Sequence, residues 1–115
     1  MFTGAHLILY SGDADADRTF MRDVLGFANV DAGRGWLIFA LPPAEMACHP
    51  SEGPPSSELY LLCDDVRATV ETLAGRGVVC GAITEARWGT ATAIPLPSGA
   101  KLGLYQPKHP LAITR

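Results

Sequence analysis

Alternation is the first pattern in the chain. Across Ala5-His6-Leu7-Ile8-Leu9-Tyr10, a period of two puts His6, Ile8 and Tyr10 on one face and Ala5, Leu7 and Leu9 on the other, which predicts a strand. Ser11-Gly12-Asp13-Ala14-Asp15 then supplies side-chain oxygens that can hold the free amides of a helix start, so a helix is expected from about Asp13 to Asp15. Ala16, Phe20 and Val24, with Met21 and Leu25 beside them, make its apolar face, and Asp17, Arg18, Arg22 and Asp23 fall outside it. Gly26, tolerant of left-handed geometry, should end it.

Three further strands are expected in the first half. They cover Phe27 to Asp31, Trp36 to Leu41 after the hairpin-like Ala32-Gly33-Arg34-Gly35, and a short run at Glu45 to His49 beyond Pro42-Pro43. Pro50 to Ser57, with Gly53, Pro54 and Pro55, has the composition of a linker.

The order then repeats. Glu58 to Cys63 suits a strand, and Asp64-Asp65 a cap. Val66, Val70, Leu73 and Ala74 give the stripe of a second helix ended by Gly75 and Gly77. Strands are expected over Val78 to Glu85, Thr90 to Leu96 and Lys101 to Gln106, with turns at Trp88-Gly89 and Pro97-Ser98-Gly99. Both halves therefore read strand, helix, strand, strand, strand, with His6 and Glu58 at the same point of each first strand. The expected fold is α+β within one domain, residues 1–115. Module one covers about 4–50, a linker about 50–57, module two about 58–107 and a tail 108–115. A four-stranded sheet with one helix covers only one of its faces. Two βαβββ modules should therefore meet side by side as a curved mixed sheet, a cup with its helices outside.

Composition narrows the partners. With a net charge of −3 and no basic run interleaved with aromatics, nucleic acid is not expected. Apolar runs such as Leu59 to Cys63 fall far short of the roughly 20 residues of a membrane span, and no export signal opens the chain, so a cytoplasmic protein is expected. Cys48, Cys63 and Cys80 are odd in number and lack C-x-x-C spacing, which argues for reduced thiols rather than a disulfide framework or thiolate zinc site.

Three stretches resemble a known family. Phe20-Met21-Arg22-Asp23-Val24-Leu25-Gly26-Phe27, Cys63-Asp64-Asp65-Val66 and Pro97-Ser98-Gly99-Ala100-Lys101-Leu102 are similar to signatures of the vicinal oxygen chelate superfamily. That superfamily includes glyoxalase I, extradiol dioxygenases and bleomycin-resistance proteins. The likeness runs from Gly4 to about Pro107 and bears on the fold more than on the activity, because this scaffold carries many chemistries. It implies metal ligands at the first and last strands of each module, which here are His6, Glu45, Glu58 and Gly103. Glycine offers no side-chain ligand, a departure from the four-ligand glyoxalase pattern, and Glu58 stands where the extradiol pattern wants histidine.

One imidazole and two carboxylates suit a divalent ion such as Zn²⁺, Ni²⁺, Mn²⁺ or Fe²⁺, which could grip two neighbouring oxygens of a substrate. Glu45 and Glu58 are then also the candidate catalytic carboxylates. The bland alternative makes His6 an ordinary hydrogen-bonded interior histidine and leaves both glutamates at a wet rim. His49 lies two residues beyond Glu45, a candidate pocket base or else a loop residue. Tyr10, on the His6 face, is a further pocket candidate, and Tyr60, Trp88 and Tyr105 could wall a pocket for a flat ligand or simply pack the core. The first function expected is a small-molecule enzyme, a metal-dependent lyase, isomerase or dioxygenase acting on neighbouring oxygens, and the alternative is a metal-free protein that sequesters a drug or metabolite. Either would bind a small molecule, and a homodimer is expected because two single-layer modules leave edges and apolar faces that one short chain hardly covers.

Overall fold

A computed structural model describes residues 6–45, 47–50, 52–54 and 56–113. Helix α1 spans Ala14–Asp23, with the Asp13 carboxylate accepting from the Ala16 amide at 3.2 Å. Its end is a glycine cap. Gly26 sits at φ 73°, and the Phe27 amide reaches back to the Met21 carbonyl at 3.1 Å. Strands β1 (Asn29–Asp31) and β2 (Leu37–Phe39) follow as an antiparallel hairpin. The Asp31 carboxylate accepts the amides of Gly33 and Gly35 and so shapes the turn between them.

The second half is a four-stranded mixed sheet, with β3 (Tyr60–Leu62), helix α2 (Val66–Ala74), β4 (Thr84–Ala86), β5 (Gly89–Pro95) and β6 (Lys101–Pro107) in chain order. In space the strands run β3-β6-β5-β4, with β3 parallel to β6 and the other pairs antiparallel. Asp65 caps α2, and the Gln106 side chain on β6 accepts the Val66 amide at 2.9 Å, tying that helix start to the sheet. One face of the sheet, carrying Ile94, Leu102 and Leu104, packs beneath Phe20 of α1 and Leu73 of α2. Val66 and Ile94 are buried almost completely, and each such burial stabilises the fold by roughly 1.5–3 kcal/mol.

The two halves differ more than their sequence patterns do. The second supplies strand, helix and three strands as expected. Its expected strand from Val78 narrows to β4 because a bulge interrupts it. The Gly81 amide bonds the Ala93 carbonyl while Thr84 pairs with Ala91, so three steps on one side oppose two on the other. In the first half, the expected strand at 5–10 has no partner among the described residues, with Ala5 outside them. Leu7, Ile8 and Leu9 are exposed and Tyr10 is 88 % exposed. Glu45 to His49 likewise forms no strand among its described residues, with Met46 outside them. An apolar strand is stable only beside another strand. Phe20 of α1 joins the core of the second half's sheet, and among the described residues these segments find no ladder.

Candidate functional site

The face of the sheet turned away from the helices carries the aromatics. The pairings Tyr60 with Gly103 and Gly103 with Ala93, and Leu62 with Tyr105 and Tyr105 with Ala91, put Tyr60, Gly103, Ala93, Tyr105 and Ala91 on that face. Tyr60 and Tyr105 meet edge to face at 5.9 Å between centroids, and Trp88 meets Tyr105 the same way at 5.4 Å. The His109 ring lies 5.6 Å from Tyr105, which brings the tail onto this cluster.

Two glycines make room for the rings. A Cβ placed on Gly103 would overlap the ring of Tyr60, and one on Gly89 would overlap the ring of Tyr105 and the Gln106 carbonyl. The space above the last strand, where the superfamily's metal enzymes place a ligand, is thus filled by the Tyr60 ring. Hydroxyls pin the cluster. Tyr60 donates to Glu58 at 2.8 Å, and Tyr105 donates to the Trp88 carbonyl at 3.1 Å. The Glu58 hydrogen bond, with desolvation behind it, raises the Tyr60 phenol above its ordinary pKa, and burial with the nearby Glu45 charge does the same for Tyr105. Both remain neutral donors at physiological pH.

Beside the cluster runs a shallow, open groove of about 350 Å³, bordered by Trp88 and Lys101, with Ala91 and Ala93 along β5 and Tyr60 level with Ala93 between them. A smaller hollow continues it past Val79 and Pro95, and the two share Gly81, Ala93 and Lys101.

Of the residues singled out in the sequence, Tyr60, Trp88 and Tyr105 come together here. Tyr10 and His49 are exposed and line neither hollow. His6 is exposed as well, the Glu45 carboxylate accepts the Ala112 amide at 2.8 Å, and Glu58 is engaged by Tyr60. Among the described residues no three His, Cys, Asp or Glu side chains come together as an ion would require. The donor set at His6, Glu45 and Glu58 is therefore not gathered within one chain. Sequence reasoning passed over Lys101 and the small residues Gly89, Ala91 and Ala93. The strand register alone could have pointed to them, because they share a face with Gly103.

The α+β arrangement of two helices and mixed sheets is the fold of the glyoxalase, bleomycin-resistance and dioxygenase proteins, the vicinal oxygen chelate superfamily. Among solved structures, the chain is similar to TnmS3, an antibiotic binding protein from Streptomyces sp. CB03234. The two are 27 % identical over 94 % of this chain and 100 % of that one, with a TM-score of 0.64. A glyoxalase family protein from Enterococcus faecalis matches at 16 % identity over 90 % of this chain and 98 % of that one, TM-score 0.61. A member of the glyoxalase/bleomycin resistance protein/dioxygenase superfamily from Sphaerobacter thermophilus matches at 22 % over 85 % and 90 %, TM-score 0.56. No family model matches the chain, and no curated protein is significantly similar to it. Among the described residues no helix is long and apolar enough to cross a membrane.

Proposed function

We propose that this protein is a metal-free binding protein for a flat aromatic small molecule, a drug or metabolite that it sequesters in the cytoplasm. The observation that carries this reading is the Tyr60 ring lying over Gly103. A carboxylate at that position would complete a metal site, and an aromatic platform stands there instead, continued by Tyr105 and Trp88. Aromatic faces beside a groove bind a flat ligand by apolar burial and ring stacking, with no bond made or broken. The likeness to an antibiotic binding protein supports the same reading.

The working form in this proposal is a homodimer. Residues 6–10 carry an exposed apolar run with no partner strand among the described residues, β3 lies at one end of the sheet order, and Val30, Trp36 and Ile38 are exposed on the first hairpin. A second copy would supply the missing strand neighbour and deepen the open groove into a pocket. The enzyme alternative, with a divalent ion at His6, Glu45 and Glu58, requires such a partner as well, since one chain does not assemble the three.

Titration with N-phenylnaphthylamine, a flat neutral fluorophore, tests the proposal together with metal analysis of protein purified without a polyhistidine tag. Saturable binding lost in Trp88→Ala, with less than stoichiometric metal, is the expected result. Stoichiometric metal lost on His6→Ala would establish the enzyme reading instead.

A further inference from the structure

Lys101 is the one charged side chain among the described residues that line the groove. Its two hollows are lined by aromatic, small and apolar residues, two threonines and Lys101, with no acidic side chain among them. Among the described residues Lys101 makes no ion pair, nor do Arg34, Arg76 and Arg87, whereas Arg18, Arg22, Arg67 and Lys108 do. The nearest candidate by register is Glu58, two residues before Tyr60 as Lys101 is two before Gly103. Its carboxylate is engaged by the Tyr60 hydroxyl. What sets Lys101 apart is its place, an ammonium on a trough whose other lining residues are uncharged.

Its base is rigid. Lys101 opens β6 opposite Pro95, directly after the turn at Pro97-Ser98-Gly99, which the Leu96 amide closes onto the Ala100 carbonyl at 2.8 Å and Asp17 grips through Ser98. From Ala91, beside the aromatic cluster, to Pro95 is four residues of strand, roughly 13 Å. That is the span of a ligand of two or three fused or linked rings. The tyrosine hydroxyls already have acceptors, so the strongest donor left to a ligand is the Lys101 ammonium.

We propose that the groove is built for a flat aromatic ligand bearing an anionic substituent, such as a carboxylate, sulfonate or ionised phenol, with its rings against Tyr60 and Trp88 and its anion at Lys101. This rests on the aromatic-binding reading above and adds the ligand's charge and orientation. Lys101 is the specificity-determining residue, and raised salt should weaken its contribution because the site is open to solvent.

Two probes with the same rings separate the terms: anilinonaphthalene sulfonate, which carries the anion, and N-phenylnaphthylamine, which lacks it. Each is titrated by fluorescence into the full chain and its Lys101→Gln, Lys101→Arg and Trp88→Ala variants. Lys101→Gln should raise the Kd of the sulfonate roughly fivefold, the scale of one partly exposed ion pair, and leave that of the neutral probe unchanged. Lys101→Arg should keep the wild-type preference, and Trp88→Ala should weaken both probes. If Trp88→Ala weakens both while Lys101→Gln moves neither, or moves both alike, the charge assignment is overturned and the aromatic reading stands. If Trp88→Ala moves neither, the aromatic reading fails and this inference falls with it.

Discussion

The carboxylate of Asp17 accepts the backbone amide of Ser98 at 3.1 Å and its hydroxyl at 2.7 Å, joining α1 to the turn between β5 and β6 across 81 residues of chain. Asp17 is 4 % exposed, so a charged group has been taken out of water to make this link. Two donors of one residue satisfy it, and they fix the turn from which Lys101 departs. A second tie runs nearby, where the Arg76 guanidinium donates to the Val24 carbonyl at 2.7 Å.

Asp17→Ala should therefore cost about 2–3 kcal/mol, the scale of charge-assisted hydrogen bonds with a buried donor left behind. Asp17→Asn, which keeps an acceptor for one donor, should cost less. Urea unfolding monitored by circular dichroism measures both, and a loss in Asp17→Ala no larger than that of an exposed substitution would show the link to be inert.

Gly103→Ala should displace the Tyr60 ring and cost about 1–3 kcal/mol, as overfilled packing does. Adding Tyr60→Ala should recover part of that loss, since the clash is then gone. The double-mutant cycle from denaturant midpoints reads the coupling, and strict additivity would contradict the contact.

Self-association should be visible by sedimentation at micromolar concentration as a species of twice the 12.2 kDa mass. Ile8→Asp puts a charge into the exposed apolar run and should shift the protein towards monomer while leaving the second half's sheet and helices in place. A wild type that sediments only as a monomer would refute the shared pocket.

The Tyr60 phenol titrates above its ordinary value of 10.0, first because of the Glu58 hydrogen bond. The neutral phenol is the form the fold prefers. Its stabilising share is thus fully present below that value and is lost as pH rises through the raised folded pKa. Ultraviolet phenolate titration should show one late-titrating tyrosine disappear in Tyr60→Phe and return toward the ordinary value in Glu58→Ala. No change in either variant would break the assignment.

One thiol should react quickly with an aromatic disulfide reagent. Cys48 is exposed, whereas Cys63 and Cys80 are partly covered and desolvation raises both thiols, keeping little thiolate at neutral pH. Cys48→Ser should remove the fast phase alone.

Both helices were legible because their signals are local. Asp13 and Asp65 cap them, and Phe20, Val66 and Leu73 mark their buried faces. Asp17 was not. One residue after Ala16, it looks like an outward charge, and only the approach of Ser98 from the far end of the chain makes burial tolerable. Arg67 stands four residues before Glu71, the spacing of a helical pair, yet it reaches Glu85 on β4, at 3.1 Å. Side-chain length lets a tertiary partner compete with the one a turn away.

The candidate site divides along the same line. Alternation alone puts Tyr105 on the face of Gly103 and Tyr60 on that of Glu58, and glycine at 103 offers no ligating side chain. That the Tyr60 ring occupies Gly103's space and meets Tyr105 depends on β3 lying parallel beside β6, a pairing across more than forty residues. Periodicity fixes which side of a strand a residue takes, because successive side chains alternate at every step. It carries no information about which strand lies alongside, and so the caps, the helices and the strand faces were decided by sequence, while the neighbours that make a site were decided by tertiary structure.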